Sequence, residues 1–185
     1  VVAQTGSASP SAGSEVAINS STSYVTATAY DSTNQRIVIA YRNYNGSFSV
    51  RAVVGTVNAS NNSITFGTPA VISSSNISYI GATFDSTSGK VVIGFASRYS
   101  PYNGKAVVGT VSGTSISFGS PTVFYQGSTS YITSTFDSSN NKVVIAYQDA
   151  GNSNHGTAVV GTVSGTGISF GTPVVFNTAM SSYIS

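Results

Sequence analysis

The sequence predicts an all-β protein of four-stranded antiparallel blades that repeat about every 52 residues, in a β-propeller-like arrangement. Three observations predict this fold. The hexapeptide AVVGTV occurs three times, at residues 52–57, 106–111 and 158–163. The chain contains no leucine and is rich in β-branched, aromatic and turn-forming residues, which favour short strands over long helices. Each repeat contains four strand-like runs separated by turns, as propeller blades do.

Composition narrows the function classes. Charged residues make up 6% of the 185 residues, against about 25% in an average globular protein, and the net charge is +2. No cluster of lysine and arginine marks a nucleic-acid surface, and no apolar run approaches the roughly 18 residues of a membrane helix. Cysteine is absent, so disulfides and thiolate metal sites are excluded. The low charge and the abundance of Ser, Thr and Asn favour an extracellular or virion-surface location.

Two sets of aromatic residues define the repeat. Tyrosines align at spacings of 55, 52 and 52 residues, and phenylalanines at spacings of 52 and 52. The tyrosines are Tyr24, Tyr79, Tyr131 and Tyr183, and the phenylalanines are Phe66, Phe118 and Phe170. The predicted organisation is an irregular segment at 1–12, the fourth strand of a preceding blade at 13–23, repeats at 24–78, 79–130 and 131–182, and the start of a further repeat at 183–185.

The third repeat shows the four strands most clearly. They are predicted at residues 131–136, 142–147, 157–163 and 168–176. Residues 137–141, Asp-Ser-Ser-Asn-Asn, form a hairpin turn, because Asn tolerates positive φ. The second strand is apolar from residue 143 to 147, which predicts cover on both faces. Pro173 cannot donate a ladder hydrogen bond, so the fourth strand is predicted to be an edge strand or a bulged one.

The AVVGTV hexapeptide is predicted to be the third strand of each blade. Side chains alternate along a strand, so the first valine points to one neighbouring blade and the second valine to the other. The glycine that follows allows a neighbouring backbone or aromatic ring to approach closely. The first valine is Val53, Val107 or Val159, the second is Val54, Val108 or Val160, and the glycine is Gly55, Gly109 or Gly161.

The propeller has a structural rival in the β-solenoid, whose coils are usually shorter, at about 20–30 residues. A closed propeller takes about four to eight blades, so three repeats do not close a ring. Residues 13–18 match the fourth strand of a repeat, and residues 181–185 match the start of a first strand. We therefore expect a segment of a longer chain, or one protomer of a homo-oligomer that closes the ring.

The link between the second and third strands differs most among the repeats. It covers residues 42–51, 96–105 and 148–157, and propeller geometry places all three links on one face. Loops on a rigid repeat scaffold commonly carry binding, and Tyr, Asn and Arg suit sugar faces and hydroxyls or a protein partner. The alternative is that exposed loops vary without carrying a function. The candidate ligand-binding residues are Tyr44, Phe48, Arg98, Tyr99, Tyr102, Asn154 and His155.

Other recurring residues have a structural interpretation beside a functional one. Asp31, Asp85 and Asp137 could ring a cation, but no second carboxylate accompanies each of them. An Asx-type turn, with a weak ion pair to the cation five residues later, is favoured. The recurring tyrosines could form a stacking platform, although packing between blades is favoured. His155, the only histidine, has no paired acid or nucleophile, so no catalytic residue, metal site or cofactor is predicted.

The strings at residues 136–147, FDSSNNKVVIAY, and at residues 157–176 resemble repeats of tail-fibre-like and other surface proteins of marine bacteriophages and bacteria. The resemblance covers residues 13–185 and includes no catalytic motif, so it assigns no site residues. It implies a structural or host-attachment role outside the cell, and further copies of the repeat. A looser likeness links the repeats to Asp-box propellers of the sialidase type. The tryptophan, the glycine pattern, the arginine triad and the acidic pairs of those enzymes are missing.

The sequence therefore predicts a non-enzymatic scaffold of a surface or virion protein, which displays its second-to-third-strand links. The expected partner is a cell-surface glycan or protein receptor, or neighbouring copies and other virion proteins, with no nucleic acid and no membrane insertion. The second hypothesis is a carbohydrate-binding lectin with shallow sugar sites on the loops. The third is a degenerate propeller hydrolase, which is disfavoured because four of the five acidic residues recur in turns or lie in a loop without a second acid.

Overall fold

A computed structural model describes residues 13–98 and 102–185 of the chain. The described residues form fifteen strands and no helix, and therefore no helix that is long and apolar enough to cross a membrane. Sheet 1 contains β1 (Thr22–Asp31), β2 (Arg36–Tyr44), β3 (Phe48–Asn58), β4 (Ser63–Phe66) and β5 (Ala70–Ser73). Sheet 2 contains β6 (Ile77–Asp85), β7 (Lys90–Ser97), β8 (Gly104–Ser112), β9 (Ser115–Phe118) and β10 (Thr122–Tyr125). Sheet 3 contains β11 (Thr129–Asp137), β12 (Lys142–Asp149), β13 (His155–Ser164), β14 (Gly167–Phe170) and β15 (Val174–Met180).

Each sheet is antiparallel, and its first three strands lie side by side in chain order. The fourth position is shared by two short strands, both of which pair with the third strand. In sheet 3 the break between them covers residues 171–173, because Pro173 cannot donate a ladder hydrogen bond. The all-β prediction is confirmed. The fourth strand of sheet 3 lies at the edge and is bulged, as predicted, but it is also divided into two strands, which the sequence analysis does not predict.

The valine pair of the third strand separates two apolar cores. Val107 packs in the core between sheets 1 and 2, together with Val38 and Val54. Val108 packs in the core between sheets 2 and 3, together with Ile145. Successive side chains of this strand therefore pack against the sheets on opposite sides of it, as the sequence predicts.

The glycine after the valine pair makes room for an aromatic ring. A Cβ on Gly109 would lie 2.8 Å from Ile116 Cδ1 and 2.9 Å from Phe118 Cε1. Both side chains belong to β9, which pairs with β8 in the same sheet. The predicted close approach of an aromatic ring is present, and the ring comes from the same sheet.

The second strand of sheet 2 is buried along Val91, Val92 and Ile93, so this strand is covered on both faces. The prediction of two-sided cover for residues 143–147 is wrong for one face of sheet 3. There Ile145 is buried, whereas Val144, which points the other way, is only half-buried. The reason is that sheet 2 packs on the Ile145 face, and no described strand packs on the other face to the same extent.

Neighbouring sheets also touch through their backbones. A Cβ on Gly67 of sheet 1 would overlap the carbonyl oxygen of Thr114 in sheet 2. A Cβ on Gly119 of sheet 2 would overlap the carbonyl oxygen of Thr166 in sheet 3. Gly13, which precedes sheet 1, approaches the Asn62 carbonyl of that sheet in the same way. Only glycine fits these positions, because each lies against a neighbouring main chain.

Candidate functional site

The links between second and third strands lie at one end of the sheets, which we call the loop end. The first strand of each sheet begins at this end, because Thr22 pairs with Tyr44, and Ile77 with Ser97. The opposite end, which we call the turn end, carries the hairpins that follow Asp31, Asp85 and Asp137. Residues at the loop end can therefore meet across sheets, while the aspartate turns are kept apart from them.

In sheet 1 the link is a tight hairpin between Tyr44 and Phe48, with Gly46 at a φ of 75°. The rings of Tyr44 and Phe48 lie 4.6 Å apart. The guanidinium of Arg42 lies 3.9 Å from the centre of the Phe48 ring and 5.1 Å from that of Tyr24. Arg42 is 8% exposed, so these cation–π contacts occur in a largely dehydrated setting that strengthens them.

The link of sheet 2 carries Arg98 and Tyr102, both exposed. The Arg98 N–H donates to the Asn76 carbonyl at 3.1 Å, and the Ser97 N–H donates to the Asn103 carbonyl at 3.0 Å. These bonds hold both ends of the link. The third candidate of this link, Tyr99, lies outside the described residues.

The link of sheet 3 is folded against its own sheet. The His155 N–H donates to the Asn152 carbonyl at 2.9 Å, and the Asn154 carbonyl accepts from the Ser181 N–H at 2.9 Å. Asn154 and His155 are half-buried, and neither lines the cleft described below. The structure therefore separates these two candidates from Arg98 and Tyr102.

A buried carboxylate secures the same link. The Tyr125 hydroxyl of sheet 2 donates to Asp149 Oδ2 at 2.6 Å, and the Gly151 N–H donates to Asp149 Oδ1 at 3.0 Å. The hydrogen bond to Asp149, followed by burial, raises the pKa of Tyr125 to about 12. Burial raises the pKa of Tyr147, whose ring lies 5.3 Å from that of Tyr125. Asp149 therefore ties sheet 2 to sheet 3 and is held as a hydrogen-bond acceptor.

A cleft of about 480 Å³ opens at the loop end, where all three sheets contribute walls. Arg98 and Tyr102 line it, so the structure brings these two predicted residues together. Arg42, Tyr79 and Thr129 also line it, and sequence reasoning did not select them as ligand-binding residues. The remaining walls are mainly serine side chains, and no carboxylate is among the described lining residues. The cleft is thus polar, partly aromatic and positively charged.

A ladder of tyrosine rings runs beside the cleft, from one sheet to the next. The rings of Tyr79 and Tyr131 lie 4.9 Å apart, and those of Tyr131 and Tyr183 lie 5.0 Å apart. Their φ angles are 55°, 49° and 55°, a region that bulky residues rarely adopt. Tyr79 and Tyr131 fall at a register shift in the first strand of their sheets, so they are bulged residues. Tyr79 and Tyr131 therefore pack between sheets 2 and 3, and Tyr79 also forms a wall of the cleft.

Tyr24 does not belong to this ladder, which corrects the alignment of the repeats. In sheet 1 the bulged residue with positive φ is Val25, at 45°. The spacing in the sequence carries the signal, because Asp31 and Asp85 are 54 residues apart whereas Tyr24 and Tyr79 are 55 apart. Tyr24 turns instead towards Arg42.

The turn-end aspartates act as turn acceptors. Asp31 Oδ1 accepts from the Asn34 N–H at 2.9 Å, and Asp137 Oδ1 accepts from the Ser139 N–H at 2.9 Å. Hydrogen bonds from Asn140 hold the pKa of Asp137 below its usual value. This is the Asx-type turn that the sequence indicates.

The arginine or lysine that lies five residues after each turn-end aspartate is predicted to form an ion pair with it, but two of these side chains contact other groups. Arg36 donates to the Gly113 carbonyl of sheet 2 at 3.1 Å, and Lys90 donates to the Thr110 hydroxyl at 2.9 Å. Within residues 13–98 and 102–185, no group of three or more His, Cys, Asp or Glu side chains is placed to hold a metal ion.

No family model matches the chain, and no curated protein or solved structure matches it either.

Proposed function

We propose that the chain is a non-enzymatic attachment module of an extracellular or virion-surface protein, in which stacked sheets in a propeller-like arrangement display the loop end to a partner. One observation carries the proposal. The loop end gathers a cleft, exposed aromatic rings and two arginines, while the strands behind it are packed into apolar cores. A rigid scaffold with a varied polar end is the arrangement expected of a binding surface.

The resemblance to repeats of tail-fibre-like and surface proteins supports the same proposal, since those repeats imply host attachment. The partner would be a cell-surface glycan or protein receptor, and neighbouring copies or other virion proteins would contact the remaining surface. The aspartates serve as acceptors in turns and between sheets, which fits a role without a reaction.

Two tyrosines at opposite ends of sheet 1 give a matched test. Tyr44 lies at the loop end and Tyr30 at the turn end, and both are exposed. Fluorescently labelled protein is incubated with a panel of intact bacterial cells, and binding is measured by flow cytometry. We expect Tyr44→Ala or Tyr102→Ala to reduce binding at least about threefold and Tyr30→Ala to leave it unchanged. Equal loss for all three variants, or no binding to any cell, would overturn the proposal.

A carbohydrate-binding lectin is the second candidate, and the lining of the cleft favours it. Tyr102 and Tyr79 offer ring faces on which a sugar can stack, and the serine hydroxyls can bond to sugar hydroxyls. We expect binding on a glycan array that disappears with Tyr102→Ala and persists with Tyr30→Ala. A silent array together with cell binding would leave a protein receptor as the partner and overturn the lectin.

A further inference from the structure

The two arginines at the cleft carry an inference about the chemical class of its ligand. Arg42 approaches from sheet 1 and Arg98 from sheet 2, so one cleft receives two positive charges. They are two of only seven lysine and arginine residues in the chain. A concave polar site focuses such charges on a ligand more effectively than an open surface does.

Arg42 is held in a defined position. The central carbon of its guanidinium lies over the rings of Phe48 and Tyr24. The N–H donors of a guanidinium form a planar fork that matches the two oxygens of a carboxylate or a sulfate. A positioned guanidinium loses less conformational entropy on binding than a mobile lysine would.

The nearest acidic side chain along the sheet is engaged elsewhere. Asp149 pairs with Thr129 across β11 and β12, but its carboxylate accepts from Tyr125 and Gly151 and does not line the cleft. No carboxylate is among the described residues that line the cleft.

An unpartnered hydroxyl gives a second and independent observation. Thr129 lines the cleft, is 4% exposed, and its Oγ1 has no hydrogen-bond partner among the described residues. Buried hydroxyls are normally hydrogen-bonded, to other protein groups, to ordered water or to a ligand. A ligand oxygen at the cleft would supply the missing partner.

The shape and the walls of the cleft indicate the rest of the ligand. Its volume of about 480 Å³ falls within the range of small-molecule sites, about 300–1,000 Å³. The exposed ring of Tyr102 offers a stacking face, and the serine hydroxyls in the lining suit vicinal hydroxyl groups. Ring stacking and hydroxyl pairing next to a fixed positive charge describe a sugar that carries an anionic group.

We propose that the loop-end cleft binds an acidic saccharide, with its carboxylate or sulfate on Arg42 and Arg98, an oxygen on Thr129, and its ring on Tyr102. The inference rests on the proposed attachment function, since it names the partner class of that same site.

Titration calorimetry with defined sugars tests the inference. The probes are a methyl glucuronide and a sulfated galactoside, each with its neutral parent sugar as the control. We expect each acidic sugar to bind about tenfold or more tightly than its parent, because a hydrogen bond between charged groups is stronger than a neutral one. Tighter binding of the glucuronide would identify a carboxylate ligand, and tighter binding of the sulfated galactoside would identify a sulfate ligand.

Three variants locate the site. Arg98→Gln removes a cation at the cleft, and Lys142→Gln removes one at the turn end. We expect Arg98→Gln to weaken binding of the acidic sugar about tenfold and Lys142→Gln to leave it unchanged. Thr129→Val removes the unpartnered hydroxyl without disturbing a protein hydrogen bond, so we expect unchanged thermal stability and about threefold weaker binding or more.

The results of these binding measurements separate failure of the acidic-saccharide site from failure of the attachment function. Neutral sugars that bind as tightly as acidic ones would overturn the acidic class and leave the lectin. No binding of any probe, with cell binding that still depends on Tyr44 or Tyr102, would overturn the inference and leave the attachment function. Acidic-sugar binding that survives both Arg98→Gln and Thr129→Val would place the ligand elsewhere and overturn the inference.

Discussion

Sheets 2 and 3 are built from nearly the same sequence, yet their corresponding faces differ in burial. Val108 of sheet 2 is 1% exposed and Val160 of sheet 3 is 47% exposed, although each pairs with a valine of the second strand of its sheet. Phe124 is 5% exposed and Phe176, the corresponding residue, is 57% exposed. Sheet 3 covers the face of sheet 2, and no described sheet covers that face of sheet 3. Repeated residues form repeated strands on their own, whereas burial depends on the neighbour.

This difference indicates where the stability of the chain comes from. Burying a valine or phenylalanine side chain contributes about 1.5–3 kcal/mol, whereas an exposed ion pair contributes about 0–1 kcal/mol. With 6% charged residues, the chain has little scope for ion pairs. The packing between sheets should therefore dominate, and paired substitutions on the covered and uncovered faces can measure it.

The largest difference is expected for the two phenylalanines. Phe124 lies 5.3 Å from the Tyr147 ring and 5.8 Å from the Phe170 ring, both of sheet 3. Phe124→Ala should lower the free energy of unfolding by about 3–5 kcal/mol, because it opens a cavity between two sheets. Phe176→Ala should cost less than about 1.5 kcal/mol, since most of that ring is already in water. Urea unfolding of both variants measures the difference, and equal costs would mean that the exposed face is covered in solution.

Ile145 tests the same interface from sheet 3. It is fully buried in the core shared with sheet 2, and its neighbour Val144 points to the less covered face. Ile145→Ala should cost roughly 2–5 kcal/mol. Val144→Ala is the control on the opposite face of the same strand, and it should cost about half as much or less. A cost below about 1 kcal/mol for Ile145→Ala would show that the two sheets do not pack as described.

Two glycines test the backbone contact between sheets. A Cβ on Gly119 would overlap the Thr166 carbonyl of sheet 3, whereas a Cβ on Gly171 would meet only the Val160 carbonyl oxygen, at 3.8 Å. Gly119→Ala should destabilise the chain by about 1–3 kcal/mol, because the sheets must move apart to admit the methyl group. Gly171→Ala should be neutral or slightly stabilising, because alanine restricts the unfolded chain more than glycine does.

The Gly171→Ala variant also reports on the uncovered face. Thermal unfolding of the 185-residue chain at several protein concentrations gives the comparison. If Gly171→Ala lowers the thermal stability as much as Gly119→Ala does, a further sheet occupies the face of sheet 3 under those conditions. Such a result would remove the contrast between the two sheets.

Much of this architecture follows from local patterns in the sequence. The alternation of Val107 and Val108 between two cores follows from the two-residue period of a strand. The break before Val174 follows from the missing N–H of Pro173. Both are properties of a single strand, and they need no knowledge of how the sheets meet.

The cleft could not be predicted in the same way. Arg42 begins the first of the variable links, and Thr129 precedes the predicted first strand of the third repeat. Nothing in the sequence brings these two residues together, and they line one cleft only because the sheets pack side by side. An apolar run predicts two-sided cover of Val144, but cover depends on a neighbouring sheet that the run does not encode. Asn154 and His155 are candidates because their link varies among the repeats, but a backbone hydrogen bond from Ser181 to Asn154 holds this link against its sheet.

The smallest effect concerns the hydrogen bond from Tyr125 to Asp149, which crosses from sheet 2 to sheet 3. On sheet 3 the corresponding position is Asn177, whose side chain donates to Ser181, the residue that follows β15. Tyr125→Phe should lower the free energy of unfolding by about 1–2 kcal/mol at neutral pH, because a buried carboxylate loses one of its donors. Tyr30→Phe, at an exposed position, is the control and should cost nothing measurable.

The stability that the Tyr125 hydroxyl adds, relative to phenylalanine at this position, should depend on pH. The pKa of this phenol is raised from its ordinary value of 10.0 to about 12, so the folded state favours the protonated form. Its contribution is complete below pH 10, where the unfolded chain also keeps the proton, and it falls as the pH rises towards 12. The free energies of unfolding of the wild type and of Tyr125→Phe should therefore converge between pH 10 and pH 12. A constant difference across that range would mean that the hydroxyl does not donate to Asp149, and that sheets 2 and 3 are held together by apolar packing alone.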